Sequence, residues 1–546
     1  MTSLPGSEVP QRRRVLAVGL DGASFELLQP WIQSGDMPNL AALVDRGVSG
    51  GLESVIPPLT PPAWTTAATG VNPGKHGVFN FLKPKFGRAV TEFFGTADWK
   101  TPALWDYLGA RNLSSVVLHL PATYPPRPIE GVLVAGLPLT NVDANSTWPP
   151  ELKNDLQREI PGYRLFPDTM LLRTDRDAYF RNAVETLRAQ TDEALYLMER
   201  EPWSLMFTLW HMGDSLKHYF WEDMTGASGN EARRFYIRDY YREVDRALGR
   251  VVERAGTETH VVVLSDHGHQ GVRRAIFLNG WLAQNGLLKV RVPVSMISSK
   301  VVRKIRRVLK RRFRLPVRQA GDNDQGFAAA ARALESMGRL IVWDSTKAHA
   351  EPPGFVWINV RGRDAAGVVE PGEQYETVCR EIVDGLLALR DPQTNLPVVD
   401  RVVRRDEAFA GGAIDDAPDL VVLPREGYIT EYGMQAGRAV GPARQVGFNG
   451  YHVMRGMVAF AGPDIRAGET IEDAQIADIA PTVMYLLGLP HQPEMDGHVL
   501  TAAIRPDVLA KRPVRIEAIQ VERPIVSDRG GEQDAIEQSL RDLGYM

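Results

Sequence analysis

Short apolar runs rich in β-branched residues alternate along the chain with longer amphipathic stretches. RVLAVGL at 14–20 and HVVVLSD at 260–266 are typical short runs, and the stretch EARRFYIRDYYREVDRALGRVVERA has apolar residues at three- and four-residue spacing. This alternation predicts α/β architecture, in which helices connect parallel strands and flank a doubly wound, mostly parallel sheet. Ligands of such a sheet bind at the carboxyl ends of its strands. The predicted strands are 14–20, 114–120, 131–137, 204–211, 260–266, 419–424 and 456–462.

One region interrupts this alternation and predicts a smaller inserted unit on the substrate side. Residues 273–350 contain the basic stretch KVVRKIRRVLKRRFRLPVR at 300–318, which is typical of a solvated helix. A collar for an anionic substrate and an interfacial helix making peripheral membrane contact are the alternatives. We predict a catalytic domain over 12–272 and 351–504, an inserted basic, helical subdomain over 273–350, and a C-terminal extension over 505–546.

Composition limits the kinds of function and cellular location that the chain can have. The formal net charge of −4 argues against a general nucleic-acid-binding surface, so no stable nucleic-acid partner is expected. Cys379 is the single cysteine, which excludes a disulfide within the chain. No apolar run is long enough to span a bilayer, and the basic N-terminal segment leads into a first strand instead of a signal peptide. We expect a cytoplasmic protein, and the sequence leaves its oligomeric state open.

Three predicted strands end in acidic residues. Asp21 follows LAVGL, Asp214 follows FTLWHMG, and Asp266 follows VVVLS. A single aspartate of this kind is more often a helix cap or turn residue, but three at the ligand-binding edge of one sheet indicate a site. If DSLKH is helical, Asp214 and His218 lie on one face, and His267 directly follows Asp266.

Further residues suit metal-assisted chemistry. His452 lies in the glycine-rich segment GFNGYHVMRG. Aspartate and histidine together suit zinc or manganese, whereas calcium prefers oxygen ligands and structural zinc usually has cysteine ligands. The segment 54–73 carries no charge but has four threonines. Its plain interpretation is a proline-rich loop and a capped helix; the functional one is a hydroxyl that two metal ions turn into a nucleophile.

These motifs, in this order, resemble the type I phosphodiesterase/nucleotide pyrophosphatase branch of the alkaline phosphatase superfamily. The resemblance extends from residue 14 to about 498 and ends in DIAPTVMYLLGLPHQPEMDGHVL. It implies an alkaline-phosphatase-like fold and a hydrolase that acts on an organic phosphodiester or nucleotide-like small molecule. It also implies a covalent phosphothreonine intermediate.

The resemblance assigns roles to individual residues. It implies two divalent metal ions, most often Zn²⁺, with Mn²⁺ as the other candidate. Thr60, the first threonine of TPPAW, matches the nucleophile. His269 matches no ligand position of the family. The residues that match ligands are Asp21, Asp266 and His267 for one ion and Asp214, His218 and His452 for the other.

Substrate-binding residues are harder to transfer. In the family an asparagine just after the His-Gly segment contacts the phosphoryl oxygen, but here that position is Phe81, and Asn80 stands one residue earlier. Asn80 is therefore a candidate that requires a shifted loop. Lys347 is the second substrate-binding candidate, and Lys75 and Lys217 are further cations for the pocket.

Two other functions stay open at this point. The uncharged nucleophile segment favours a phosphodiester, but a phosphomonoesterase or phosphomutase on the same scaffold is one alternative. A catalytically silent protein that holds anionic lipid through its basic helix is the other.

Overall fold

The computed structural model describes residues 13–83, 92–139, 142–143, 145–291, 340–431, 438–443 and 448–522. The basic stretch at 300–318 lies outside the described residues, as does the C-terminal extension beyond residue 522. Within the described ranges, no helix has the length and apolarity that crossing a bilayer requires.

One large sheet and several small ones organise the molecule. In the described residues the strands are, in chain order, β1 Arg14–Leu20, β2 Val48–Glu53, β3 Leu82–Lys83, β4 Glu92–Phe93, β5 Ser114–Leu118, β6 Gly131–Val134, β7 Thr147–Trp148, β8 Trp203–Trp210, β9 Thr259–Leu264, β10 Gly268–Gly271, β11 Arg274–Phe277, β12 Ala348–Glu351, β13 Phe355–Ile358, β14 Val399–Arg404, β15 Leu420–Pro424, β16 Tyr428–Glu431, β17 Val440–Gly441, β18 Gly450–Val453, β19 Arg455–Ala461 and β20 Glu469–Gln475. The large sheet has the order β20-β2-β19-β9-β1-β8-β5-β6-β7. Most of its strand pairs are parallel, including β1 with both β8 and β9, whereas β19 is antiparallel to its two neighbours. The predicted α/β class with a mostly parallel sheet is confirmed.

Helices flank the large sheet, and their sequences explain why they form. The α-helices of the described residues are α1 Phe25–Gln33, α2 Pro38–Asp45, α3 Thr60–Thr69, α4 Pro73–His76, α5 Leu104–Gly109, α6 Leu152–Glu159, α7 Leu171–Thr174, α8 Arg176–Arg200, α9 Met212–Thr225, α10 Tyr236–Ala255, α11 Leu278–Gln284, α12 Glu373–Leu387, α13 Arg405–Ala408, α14 Ile479–Leu486 and α15 Pro506–Lys511. In α10 the buried residues recur at three- and four-residue spacing while Arg246 and Glu253 face solvent, which is the pattern of an amphipathic helix. A 3₁₀ turn at Glu231–Arg233 precedes it, so the helix begins later than the sequence pattern suggests.

The centre of the sheet determines where a site forms. All residues of β9 are buried, as are all but the first of β1, which is expected for parallel strands covered on both faces. In the strand register Leu20 pairs with Trp210, and Gly19 pairs with Leu264. The carboxyl ends of β1, β8 and β9 therefore meet at one edge, and the residues that follow them become neighbours.

A second, antiparallel sheet has the order β12-β13-β15-β14. It packs on its own apolar cluster, which extends from Ile276 to Val440 and includes Leu420 and Val422 of β15. The predicted strand at 419–424 therefore belongs to this sheet and not to the central one. A short apolar run indicates a strand but does not indicate which sheet the strand joins.

The smaller unit continues past the predicted end of the inserted region. Position 350 lies inside β12, which pairs with β13 in a hairpin. The apolar cluster beneath that hairpin includes residues on both sides of position 350. The domain boundaries themselves stay predictions.

Candidate metal centre and nucleophile

Thr60 is the first residue of α3, at the edge where the central strands end. Every residue of this helix is buried, and prolines fill its first turn, where their missing N–H groups cost no hydrogen bond. The Thr60 side chain is 4% exposed, and its Oγ1 lies 3.4 Å from His267 Nε2. The positive end of the helix dipole lies beside this hydroxyl, which favours an anionic group there.

Helix α3, which begins at Thr60, is held in place by a buried histidine. His76 Nε2 lies 3.0 Å from Thr66 Oγ1, and its Nδ1 accepts a hydrogen bond from the Val78 backbone N–H at 3.1 Å. A neutral imidazole that donates through Nε2 satisfies both contacts. Burial lowers the pKa of His76 from 6.5 to about 3, so the ring stays neutral in the folded state.

The depressed pKa of His76 predicts a pH-dependent loss of stability. Because the folded-state pKa is below the unfolded-state value, the contribution is complete above 6.5 and declines as pH falls towards about 3. Between about pH 7.5 and pH 5 the wild type should lose about 2 kcal/mol more unfolding free energy than His76→Gln. Denaturant titrations with a chelator present measure this difference. The exposed His498→Gln is the matched control and should keep the wild-type slope; parallel curves for wild type and His76→Gln would contradict the prediction.

Asp21 directly follows β1, and Asp266 follows β9 after one intervening residue, Ser265. Asp266 Oδ1 accepts a hydrogen bond from the Gly22 backbone N–H at 3.1 Å, and its Oδ2 lies 3.2 Å from His267 Nε2. The same nitrogen lies 3.7 Å from Asp21 Oδ1. His267 Nδ1 faces the carbonyl of Gly268 at 3.1 Å, so a ring protonated there presents its Nε2 lone pair to both carboxylates.

Asp214 and His218 lie in the first two turns of α9, four residues apart as the sequence predicts. His218 Nε2 lies 3.2 Å from Asp214 Oδ2. His452, from β18, brings its Nε2 to 3.3 Å from Asp214 Oδ1 and to 3.1 Å from His218 Nε2. Ligand atoms of Asp214, Asp21 and His267 also lie within 4.8 Å of one another. The six predicted ligands therefore converge, and together they are called the site cluster.

Hydrogen bonding within the site cluster fits metal binding. His218 Nδ1 faces the carbonyl of Gly450 at 2.8 Å, and His452 Nδ1 faces that of Pro58 at 2.9 Å. Each ring therefore carries its proton on Nδ1 and directs an Nε2 lone pair at the other ring. Two lone pairs 3.1 Å apart repel unless a cation or a proton lies between them.

Three carboxylate oxygens of the site cluster, one on each aspartate, are buried without a hydrogen-bond partner among the described residues; they are Asp21 Oδ1, Asp214 Oδ1 and Asp266 Oδ2. Burial, together with the other carboxylates, raises the pKa of Asp21 and of Asp266 above the ordinary aspartate value. Buried acceptors of this kind need a partner, and a divalent cation provides one. The side chains present therefore fit a metal centre.

Two buried residues hold Asp21 in position: His211, to which the sequence assigned no role, and Lys217, which it indicated only as a cation for the pocket. His211 Nδ1 lies 2.8 Å from Asp21 Oδ2, and its Nε2 lies 2.7 Å from the carbonyl of His119. Lys217 Nζ donates to the Asp21 carbonyl at 3.2 Å and to Tyr241 Oη at 2.7 Å. Only the position of His211 at the end of a predicted strand hinted at this role.

The two predicted substrate-binding residues, Asn80 and Lys347, are placed by the structure as follows. Asn80 donates through Nδ2 to the Pro352 carbonyl at 3.0 Å and accepts from the Phe81 backbone N–H at 2.7 Å. Lys347 is exposed just before β12 in the smaller sheet. Neither side chain has a hydrogen bond or ion pair to the site cluster among the described residues, and both roles stay predictions.

His269 lies against the site cluster, although the family resemblance gives it no ligand position. Its Nε2 lies 3.3 Å from Asp214 Oδ1, and donor atoms of Asp214, His218, His269 and His452 lie within 4.8 Å of one another. The signal in the sequence was its position two residues after His267 in SDHGH.

Comparison with known proteins identifies the family. The family described as type I phosphodiesterase / nucleotide pyrophosphatase matches residues 15–452, which includes Thr60 and all six residues of the site cluster. The chain belongs to this family. Membership makes it a hydrolase of phosphodiester bonds and confirms the resemblance found in the sequence. No curated protein matches the chain.

Solved structures of similar proteins are distant. Human ectonucleotide pyrophosphatase/phosphodiesterase 5 is 14% identical, with 89% of this chain and 97% of that chain covered and a TM-score of 0.48. The murine protein is 14% identical, with 88% and 96% covered and a TM-score of 0.47, and an inactive variant of it in complex with AMP gives the same values. The family assignment rests on the sequence match.

Proposed function

We propose that this phosphodiesterase depends on two divalent cations and works through a phosphothreonine intermediate on an organic phosphodiester or nucleotide-like small molecule. The main support is the convergence of the site cluster, drawn from positions 21 to 452, beside the buried hydroxyl of Thr60. Zn²⁺ is the favoured ion and Mn²⁺ the alternative, because both accept aspartate and histidine ligands.

Two groups of side chains would hold the cations. When bound, such a pair supplies Lewis acidity that polarises a hydroxyl and the phosphoryl oxygens. His211 supports this arrangement because its hydrogen bond fixes one carboxylate of the first group. The groups are Asp21, Asp266 and His267 for one cation and Asp214, His218 and His452 for the other.

Thr60 provides the nucleophile in this proposal. Its Oγ1 loses its proton and attacks phosphorus in line with the leaving oxygen, so that a bond from Oγ1 to phosphorus forms as one ester bond breaks. The leaving oxygen takes up a proton and departs as an alcohol, and the phosphothreonine keeps the second organic group of the diester. Water then attacks the phosphothreonine, releases a phosphomonoester and regenerates the hydroxyl. The N-terminus of α3 favours the negative charge of the phosphoryl group throughout.

The charged residues around the site favour a diester. A monoester dianion would gain from a cationic side chain beside the nucleophile, but two of the lysines that the sequence offers for the pocket have other partners. Lys217 is fully buried and donates hydrogen bonds to the Asp21 carbonyl and to Tyr241 Oη. Lys75 forms an ion pair with Asp496 at 2.5 Å. A diester carries one negative charge fewer and fits this environment better.

Substrate preference tests the proposal. The zinc-loaded protein should hydrolyse bis-p-nitrophenyl phosphate with a kcat/KM at least about tenfold above that for p-nitrophenyl phosphate, a difference of about 1.4 kcal/mol in transition-state stabilisation. Lys75→Ala is the matched control, because its ammonium is already paired, and it should leave the ratio unchanged. A clear preference for the monoester would replace the proposal with the phosphomonoesterase or phosphomutase alternative.

The catalytically silent alternative has less support. A protein that merely holds anionic lipid does not need a nucleophile and a full set of metal-ligating side chains at one edge of the sheet. Its proposed contact, the basic stretch at 300–318, lies outside the described residues.

A further inference from the structure

His269 faces His452 across a pair of short antiparallel strands. In the register of β10 and β18 the two residues are direct partners, so their side chains lie on the same face of the pair. The ring centroid of His269 lies 5.2 Å from that of His452 and 4.9 Å from that of His218. The strand pairing thus places a fourth imidazole beside the three of the site cluster.

The His269 side chain is fully buried, yet neither ring nitrogen has a hydrogen-bond partner among the described residues. Nε2 approaches Asp214 Oδ1 at 3.3 Å without forming a hydrogen bond to it. A neutral imidazole carries one donor and one acceptor, and leaving both unsatisfied in the interior is costly. Ordinary packing does not explain this, because a phenylalanine or methionine would fill the same space without that cost.

The backbone makes room for this ring. Gly22 directly follows Asp21 and has a φ of +69°, and a Cβ there would lie 2.7 Å from His269 Nδ1 and 3.1 Å from Asp214 Oδ1. A larger residue would displace the imidazole, so glycine satisfies both the backbone conformation and the close approach. On its other side His269 stacks on Trp221, with 24° between the ring planes. The ring is held between these two residues with Nε2 directed at Asp214.

We propose that His269 is a ligand of the cation held by Asp214, His218 and His452. This inference rests on the proposed two-cation function and adds a residue that matches no ligand position of the family. The donor set becomes three imidazoles and one carboxylate, and a catalytic zinc ion with four protein ligands would still accept a phosphoryl oxygen by expanding to five ligands. Imidazole suits zinc, cobalt, nickel and copper, whereas manganese prefers oxygen, so His269 makes this centre selective for zinc over manganese.

Metal affinity in the full-length protein tests the proposal. His269→Phe keeps a ring that can stack on Trp221 but removes both nitrogens, and His269→Gln keeps a weaker oxygen ligand. Competition with a chromophoric chelator should show two Zn²⁺ sites in the wild type. In both variants one of them should weaken by about 10- to 100-fold or more, since the loss of groups that merely support ligands has effects of that size. Affinity for Mn²⁺ should change far less.

Cobalt spectroscopy gives a readout that is independent of turnover. The visible absorption of bound Co²⁺ should change in intensity and position in both His269 variants. The matched control is His260→Gln, which removes a buried imidazole near Asp464, at the start of β9 and away from the site cluster; it should keep the wild-type spectrum and affinities.

Two results would overturn the proposal. The first rejects only the ligand role of His269, and the second also rejects the proposed function. If both His269 variants bind two Zn²⁺ with wild-type affinity and an unchanged cobalt spectrum, His269 is not a ligand and the proposed function stands. If the wild type binds no divalent cation, the proposed function fails together with the inference.

Discussion

Replacing Thr60 with alanine is expected to lower kcat/KM for a phosphodiester by at least about a thousandfold, because the variant lacks the only group proposed to attack phosphorus. The fold and the bound cations should be kept, since the six residues of the site cluster are unchanged. Stopped assays on the zinc-loaded variant measure the loss, and metal analysis confirms that two cations are still bound.

Two variants make this test specific to the Thr60 hydroxyl. Thr60→Ser keeps the oxygen and should retain activity within about tenfold of the wild type. Thr65→Ala removes another buried hydroxyl of the same helix, one that donates to the Pro61 carbonyl at 2.8 Å, and should have a comparably small effect. A phosphoryl group that still carries one organic substituent, trapped on Thr60 in the wild type at low pH, would identify the intermediate directly. A Thr60→Ala protein with near wild-type turnover would exclude the covalent mechanism.

Local sequence pattern predicts much of the site because the central strands are parallel. Asp21 and Asp266 stand within two residues of the ends of buried apolar runs, and the rule that parallel strands end at one edge brings them together. Asp214 and His218 need only the periodicity of a helix, which places residues four apart on one face. In each case a short-range pattern is sufficient.

Long-range pairing cannot be predicted in this way. His452 and His269 meet because β10 and β18 pair across the chain, and nothing in either segment alone specifies its partner. The family pattern has a ligand position that matches His452, but it has none that matches His269. His269 therefore lies beside the site cluster at a position that the family pattern does not include.

Residues in loops and in the smaller sheet are the least predictable. Asn80 turns its amide to Pro352 and Phe81, contacts that no spacing rule indicates. The run at 419–424 is correctly predicted as a strand, but its partners in the second sheet are set by packing against a separate apolar cluster. Local composition specifies the type of element, and tertiary packing decides its place.

Removing the two proposed cations with a chelator is expected to abolish hydrolysis and to lower the melting temperature by about 5–8 °C. Each cation held at about 100 to 1,000 times its Kd stabilises the folded state by about 3–4 kcal/mol. For a chain of this length the unfolding entropy is about 1 kcal/mol per degree, which converts the two contributions into that shift. Differential scanning calorimetry with and without chelator measures it, and added Zn²⁺ should restore both activity and stability.

Without cations, the crowded carboxylates should make stability depend on pH. Burial and neighbouring carboxylates raise the pKa of Asp21 and of Asp266 in the folded state. A carboxyl with a raised folded-state pKa stabilises the protein fully below its unfolded value, and this stabilisation is lost as pH rises through the folded value. In the cation-free protein the stabilisation that these two carboxyls contribute should therefore decline as pH rises from about 4 towards neutrality. In the zinc-loaded protein it should not, because the cations offset the negative charge.

Asp266→Asn should consequently have effects of opposite sign in the two states. Its amide oxygen can still accept the Gly22 N–H. Without cations, the substitution removes a buried carboxylate whose charge is unfavourable. With cations, it removes a ligand that the cation needs. The variant should melt below the wild type in Zn²⁺ and above it in chelator at neutral pH. Asp245→Asn alters a buried carboxylate remote from the site cluster, one that accepts from Leu40 and Asn39, and its effect should be the same in both conditions. If Asp266→Asn were equally destabilising with and without Zn²⁺, Asp266 would be a structural residue and not a cation ligand, because only a bound cation makes its charge an advantage.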